Sequence, residues 1–473
     1  MTQNWQIGIF GTFDVQNYGD LLFPIIAEAE LEERLGAVTL HRFSYHAKTP
    51  PQWPYQVTSL TELPQIAGKL DGVLIGGGFL IRFDKKVAPA YEPPATTIHH
   101  PTGYWLTPAL IALQHGIPVI WNAPGMHRNE IPDWADPLMK MAFMRSSYVA
   151  VRDEPSRAAL SRFANPDQVT VVPDTAFGLA RLLDKRPSSE FDRLRDAAGL
   201  TKPYIVIQAA LGLDRFLSFI KKHADRLQDY QFLALPIGPV LGDHERNLGS
   251  DLPGLVRLPA WPHPLLLAEL ISKSAAVVGY SYHLAITALA SGVPVFTPVD
   301  LSTGKYSALL AYERIFPLPE EGESEPEQFI SRLGKTAPCQ AAQVARDQSV
   351  RHWDQIAAIL KTGNTATQPA LNQFWQSLPE LLETAADEYA ELYQQTRQPN
   401  ARGKKTMANA AVDAEGAEKQ KRIDELGKLL ALARAEIVAR DDRIAAIYNS
   451  SSMKITAPLR VLLDRLKRLV GNK

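Results

Sequence analysis

The chain has 473 residues, more than one hydrophobic core can organise, so two globular domains with extensions are expected. Apolar content of 45%, charged content of 21% and a formal net charge of -1 exclude a basic nucleic-acid binder and a charge-dominated disordered chain. Cys339 is the only cysteine, which excludes an intrachain disulfide or a thiolate metal cluster and fits a reducing compartment.

The N-terminus, Met1 to Trp5, lacks the basic and then apolar pattern of a signal peptide, and no uncharged apolar stretch reaches the length of a membrane span. A soluble, cytoplasmic protein is expected. From residue 6, short β-branched runs alternate with amphipathic stretches. "QIGIF" (6–10) reads as a strand and "LLFPIIAEAELEERLG" (21–36) as a helix stopped by Gly36. "VTLHRF" (38–43), "GVLIGGG" (72–78), "IPVIWNAPG" (117–125), "YVAVRD" (148–153) and "VTVVPD" (169–174) read as further strands. A polar stretch over 183–203 interrupts the rhythm. It resumes with "YIVIQAAL" (204–211), "QFLALPIG" (231–238), "AAVVGY" (275–280) and "VPVFTPV" (293–299). The fold class implied is α/β, with two doubly wound Rossmann-like domains facing a cleft, and ligands are expected beyond the carboxyl ends of the strands.

The domains expected are 1–185 and 186–365, then a helical segment and linker over 366–416. Over 417–449, Ile423, Leu430, Ile437 and Ile444 alternate with Leu426, Ala433, Arg440 and Ile447 at heptad spacing, a coiled-coil pattern that suits homo-oligomerisation. A single helix docked on the body is the alternative. Within 450–473, the residues from Met453 onward carry a net charge of +5 around an apolar face from Ile455 to Val470. Such a helix suits either peripheral contact with the inner face of an anionic membrane or packing on protein.

The loops after the strands hold the candidate site residues. In "GTFDVQNYGDLL" (11–22), Asp14, Asn17, Tyr18 and Asp20 lie at the end of the first strand, although Asp20 can equally cap the next helix. The loop is not a dinucleotide fingerprint, because G-x-G-x-x-G is absent. Gly76, Gly77 and Gly78 follow a buried strand; such a backbone either approaches a ligand or packs tightly on its neighbour. Arg152 suits an anion, or an ion pair with Asp153 or Asp174, for both of which a structural role is favoured. In the second half, Asp243 and His244 follow one strand, and "VVGYSYHLAI" (277–286) places His283 at a helix start. The first-turn N–H groups of that helix suit a phosphate or carboxylate, with His283 either a proton donor or simply a polar residue at the helix start.

The ordered set "GTFDVQNYGD", "DGVLIGGGFL", "YVAVRDEPS", "VVPDTAF" and "YHLAITALASGVPV" resembles the polysaccharide pyruvyl transferase family over about residues 6–300. The resemblance implies a GT-B-like pair of domains, with the acceptor on the first and the donor on the second. It also implies transfer of pyruvate from phosphoenolpyruvate to two hydroxyls of a cell-surface polysaccharide, as a ketal. By position, His283 is then the acid; Ser281, Tyr282, Lys305 and Arg152 bind the donor; Asp14, Asn17, Tyr18, Asp20 and the glycines at 76–78 face the acceptor, a saccharide or lipid-linked oligosaccharide. No cofactor, metal or nucleic acid is called for. Ser281 stands where family members commonly have arginine, and no cation lies near Gln208–Ala210, so Lys305 or Arg152 is the substitute expected. "SSSMKITAPLR" also resembles a segment at the end of bacterial polysaccharide glycosyltransferases, with Met453 where tryptophan is usual. The alternatives are a GT-B-like glycosyltransferase using a nucleotide sugar, and a non-catalytic scaffold of a polysaccharide assembly complex.

Overall fold

The computed structural model describes residues 3–45, 53–83, 101–126, 135–186, 189–249, 252–258, 260–302, 304–319 and 325–363, with single positions at Gln376 and Glu383. The chain divides into two compact units, Met1–Asp387 and Glu388–Lys473. All described residues belong to the first. The linker, the heptad segment 417–449 and the basic tail 450–473 lie outside the described residues.

Seven parallel strands form the first sheet: β1 (Trp5–Phe10), β2 (Val38–Ser44), β3 (Thr58–Ser59), β4 (Gly72–Ile75), β5 (Val119–Trp121), β6 (Tyr148–Val151) and β7 (Val169–Val171). Their order is β3-β2-β1-β4-β5-β6-β7. Six parallel strands form the second: β8 (Tyr204–Gln208), β9 (Gln231–Leu235), β10 (Leu255–Arg257), β11 (Ala276–Val278), β12 (Val295–Thr297) and β13 (Ile315–Pro317), ordered β10-β9-β8-β11-β12-β13. Every residue of β4, β8 and β11 is buried, as apolar runs covered by helices on both faces require. Each order reverses beside its first strand: β1 pairs with β2 and β4, and β8 pairs with β9 and β11. Those reversals open a crevice at the carboxyl end of each sheet.

The expected helix after β1 runs Tyr18–Leu35, starting three residues earlier than the apolar periodicity suggests, and ends at Gly36 with φ 84°. It joins the two lobes. The Tyr18 N–H donates to the Ile237 carbonyl (2.9 Å), the Val240 N–H to the Gln16 carbonyl (3.2 Å), and the Tyr18 hydroxyl shares a 2.7 Å hydrogen bond with Thr287. Apolar side chains from both sheets form one continuous core around this helix.

The helix Gln340–Thr362 falls within the 186–365 stretch but packs on the first lobe. Its Leu360 fills the space left by Gly72, Asp354 pairs with Arg34 at 2.7 Å, and His352 bonds Asn122 (2.9 Å) and Tyr148 (3.1 Å). No described helix is long and apolar enough to cross a membrane.

Candidate active site

A cleft of about 380 Å³ lies between the lobes at the carboxyl ends of both sheets. One wall is the start of the helix Tyr282–Ala290. Ser281 takes extended geometry as its N-cap, and its hydroxyl accepts the Leu284 N–H at 3.4 Å. Gln208, at the end of β8, secures the turn before it. The Gln208 side-chain oxygen Oε1 accepts the N–H groups of Tyr280 and Ser281 at 2.8 Å each, and its Nε2 donates to Asp243 at 2.9 Å. Asp243 in turn accepts the N–H groups of Ile237 (3.0 Å) and Gly238 (2.9 Å). This network ties the ends of β8, β9 and β11 together. The N–H groups of Tyr282 and His283 lie in the first turn, where no intrahelical carbonyl is in reach.

His283 enters the cleft from the second lobe and is held by the first. A methyl group on Gly19 would sit 1.9 Å from Nδ1, so glycine is what admits the ring. Phe23 meets the imidazole edge-on at 5.4 Å between centroids. Nε2 faces Oδ2 of Asp174 at 3.5 Å, long for a hydrogen bond but within ion-pair reach. The imidazole lines the cleft and retains 13% of its exposure.

Arg152 stands beside it, on the turn after β6. The guanidinium lies between the rings of Phe79 (4.7 Å) and Tyr282 (5.0 Å), and Gly125 leaves it room: a Cβ there would be 2.6 Å from Nε. The side chain is 2% exposed and pairs with Asp153 (3.4 Å) and Asp174 (3.9 Å), yet Nη2 has no hydrogen-bond partner among the described residues. Burial by itself would raise the carboxyl of Asp174. Contact with His283, the charge of Arg152 and the Ala176 N–H outweigh burial and hold it below the ordinary carboxylate range. Burial raises the phenol of Tyr282, against the charge of Arg152, so that ring stands in the cleft as a neutral hydrogen-bonding group.

Of the other residues predicted from sequence, Asn17, Asp20, Gly77 and Gly78 line the cleft together with Ser281 and Tyr282. Three do not. Tyr18 is fully buried under the Thr287 hydroxyl, and Asp14 accepts the Ser44 hydroxyl at 2.6 Å. At Gly76, with φ 137°, a Cβ would clash with the Asn122 carbonyl and Pro124, so the glycine serves close packing there. The Lys305 side chain lies outside the described residues. Asp153 caps the helix Glu154–Leu160 through the Ser156 N–H, and His244 caps a short turn through the Arg246 N–H.

Arg82 and Tyr306 also line the cleft and carried no clear mark in the sequence. Arg82 is the first cation after the glycine triplet, which is the signal available for it.

Three solved structures are among those to which the chain is similar. UDP-GlcNAc 2-epimerase from Neisseria meningitidis bound to UDP-GlcNAc is 16% identical, covering 75% of this chain and 100% of that one, with a TM-score of 0.47. The Methanocaldococcus jannaschii UDP-GlcNAc 2-epimerase is 12% identical over 76% and 100% of the two chains, with a TM-score of 0.49. The enzyme of that name from Rickettsia bellii is 11% identical over 76% and 98%, with a TM-score of 0.46. No curated protein matches the chain. A family model described as polysaccharide pyruvyl transferase matches residues 17–301. That match takes in more than half of the sequence, from the Asn17 turn through the glycine triplet, Arg152 and Asp174 to His283, and so the chain belongs to the polysaccharide pyruvyl transferase family.

Proposed function

We propose that this chain transfers the pyruvyl group of phosphoenolpyruvate to two hydroxyls of a saccharide destined for the cell surface, forming a ketal. What carries the proposal is the sharing of one cleft wall by His283, the buried guanidinium of Arg152 and the first turn of the helix Tyr282–Ala290. In the reaction the methylene of phosphoenolpyruvate gains a proton, the bond from C2 to the phosphate oxygen breaks, and two bonds form from C2 to sugar oxygens. The two hydroxyl protons balance the one gained by the methyl group and the one leaving with phosphate.

The methylene needs an acid, for which His283 is positioned. Phosphate and carboxylate need a cationic and N–H-rich cradle. Arg152 approaches from the first lobe to supply the charge that Ser281 cannot, alongside the helix N-terminus and Arg82. Asn17 and Asp20 face this wall as acceptors for the sugar hydroxyls. The acceptor is a saccharide or its lipid-linked form, modified on the cytoplasmic side.

Thermal-shift titration tests the donor. Stabilisation by phosphoenolpyruvate, with no response to UDP-sugars, is expected; the reverse pattern overturns the proposal in favour of a nucleotide-sugar enzyme. His283→Ala should abolish phosphate release from phosphoenolpyruvate while leaving thermal stability near that of the parent.

A further inference from the structure

Asp174 does more than cap a turn. It sits at the end of β7, 2% exposed, with Oδ1 committed to the Ala176 N–H at 3.0 Å and its carbonyl accepting the Phe177 N–H at 3.1 Å. The Ala176 N–H thereby orients the carboxylate. Its other oxygen, Oδ2, has no hydrogen-bond donor among the described residues, and neither has Nε2 of His283. A buried carboxylate oxygen left without a donor is costly unless a cation faces it. The two positively chargeable groups that approach are His283 Nε2 at 3.5 Å and Arg152 Nη1 at 3.9 Å. The ring nitrogen that is buried without a partner is Nε2; Nδ1, on the other side, packs close to Gly19, beside the cleft residues Asn17 and Asp20, and is the nitrogen on the cleft side.

We infer that Asp174 is a positioning residue for the imidazole: it holds the proton on Nε2 of His283 and leaves Nδ1 as the nitrogen that exchanges a proton with the bound ligand. This rests on the reading of His283 as the proton donor. On that reading the imidazolium gives its Nδ1 proton to the methylene carbon and remains as the Nε2–H tautomer against Asp174. A hydroxyl proton from the sugar then restores it. The charged groups on the elements around the ring are Asp174 after β7, Arg152 after β6 and Asp20 at the start of the helix Tyr18–Leu35. The acid would thus be assembled from both lobes: the ring from the second, its orientation and the glycine that admits it from the first.

The test starts with the unaltered protein. Nitrogen NMR of the imidazole, assigned by loss of its signals in His283→Gln, should show the neutral ring protonated on Nε2; protonation on Nδ1 overturns the inference whether or not any variant folds. Asp174→Ser keeps a side-chain oxygen for the Ala176 N–H but removes Oδ2 from the ring. It should mix the two tautomers of the neutral ring, read by the same nitrogen NMR, and slow phosphate release, because the ring is no longer held against a carboxylate. A folded Asp174→Ser protein with the parent's tautomer and rate overturns the inference. A tautomer change in a protein that never releases phosphate from phosphoenolpyruvate upholds the role of Asp174 and sinks the proposed reaction instead.

Discussion

Gly19→Ala is the sharpest perturbation the site offers. Alanine favours a helix over glycine by up to about 1 kcal/mol, so by local propensity the change should stabilise the helix Tyr18–Leu35. The new methyl, however, would lie 1.9 Å from Nδ1, 2.3 Å from Cγ and 2.5 Å from Cε1 of His283. Ordinary contact begins near 3.4 Å, so ring and methyl must separate by about 1.5 Å. The ring cannot retreat toward Asp174, which is already at 3.5 Å, and Phe23 and Tyr282 bracket it edge-on at 5.4 and 5.7 Å. Nor can the helix back away freely, because the Tyr18 N–H and hydroxyl and the Val240 N–H tie it to the second lobe. The imidazole must therefore turn to another rotamer. A misplacement of about 1 Å costs on the order of 100-fold in rate, and overpacking costs roughly 1–3 kcal/mol in stability, partly offset by helix propensity. We expect phosphate release from phosphoenolpyruvate, with a glycan acceptor, to fall by at least that factor while the protein stays folded. Gly68→Ala is the control, since a methyl there meets only His115 at 3.8 Å. A Gly19→Ala protein with the parent's rate and an unmoved imidazole would refute the placement of His283.

Arg152→Lys should weaken phosphoenolpyruvate binding about 10- to 100-fold by calorimetry, because an ammonium cannot stack between Phe79 and Tyr282 or present a planar fork; an unchanged affinity would remove Arg152 from the donor site. Tyr18→Phe should cost about 1 kcal/mol in urea unfolding, since the Thr287 hydroxyl keeps its bond to the His283 carbonyl at 2.9 Å. A change in glycan KM with stability untouched would instead put the Tyr18 hydroxyl in the cleft. Burial pushes the His352 imidazole down to about 3 from 6.5, so the unfolded chain binds the extra proton between those values. Stability is then present in full above about pH 6.5 and is lost as pH falls toward about 3, by roughly 2 kcal/mol between pH 7 and pH 5. The half-buried His41 and His263 are shifted in the same direction, so the contrast of wild type with His352→Gln isolates this residue; equal slopes in the two proteins would count against it.

The strand rhythm, the helix stop at Gly36 and the placing of His283 at a helix start were legible in the sequence, because apolar periodicity and glycine punctuation act over a few residues. The short strands β3, β10 and β13 were not, for two or three residues carry no period and depend on their neighbours for hydrogen bonds. At the site, the ordered motifs identified the right turns but not which side chain of each turn faces ligand. Asn17 and Asp20 line the cleft, whereas Tyr18 between them is buried as a tie to Thr287, since successive residues of a helical turn point about 100° apart. Asp174 read as a cap, which it is, and only the packing of one lobe on the other sets its second oxygen against an imidazole more than a hundred residues away. Local chemistry is written along the chain. Which groups meet across the cleft is decided by the docking of two sheets, through contacts that no local pattern encodes.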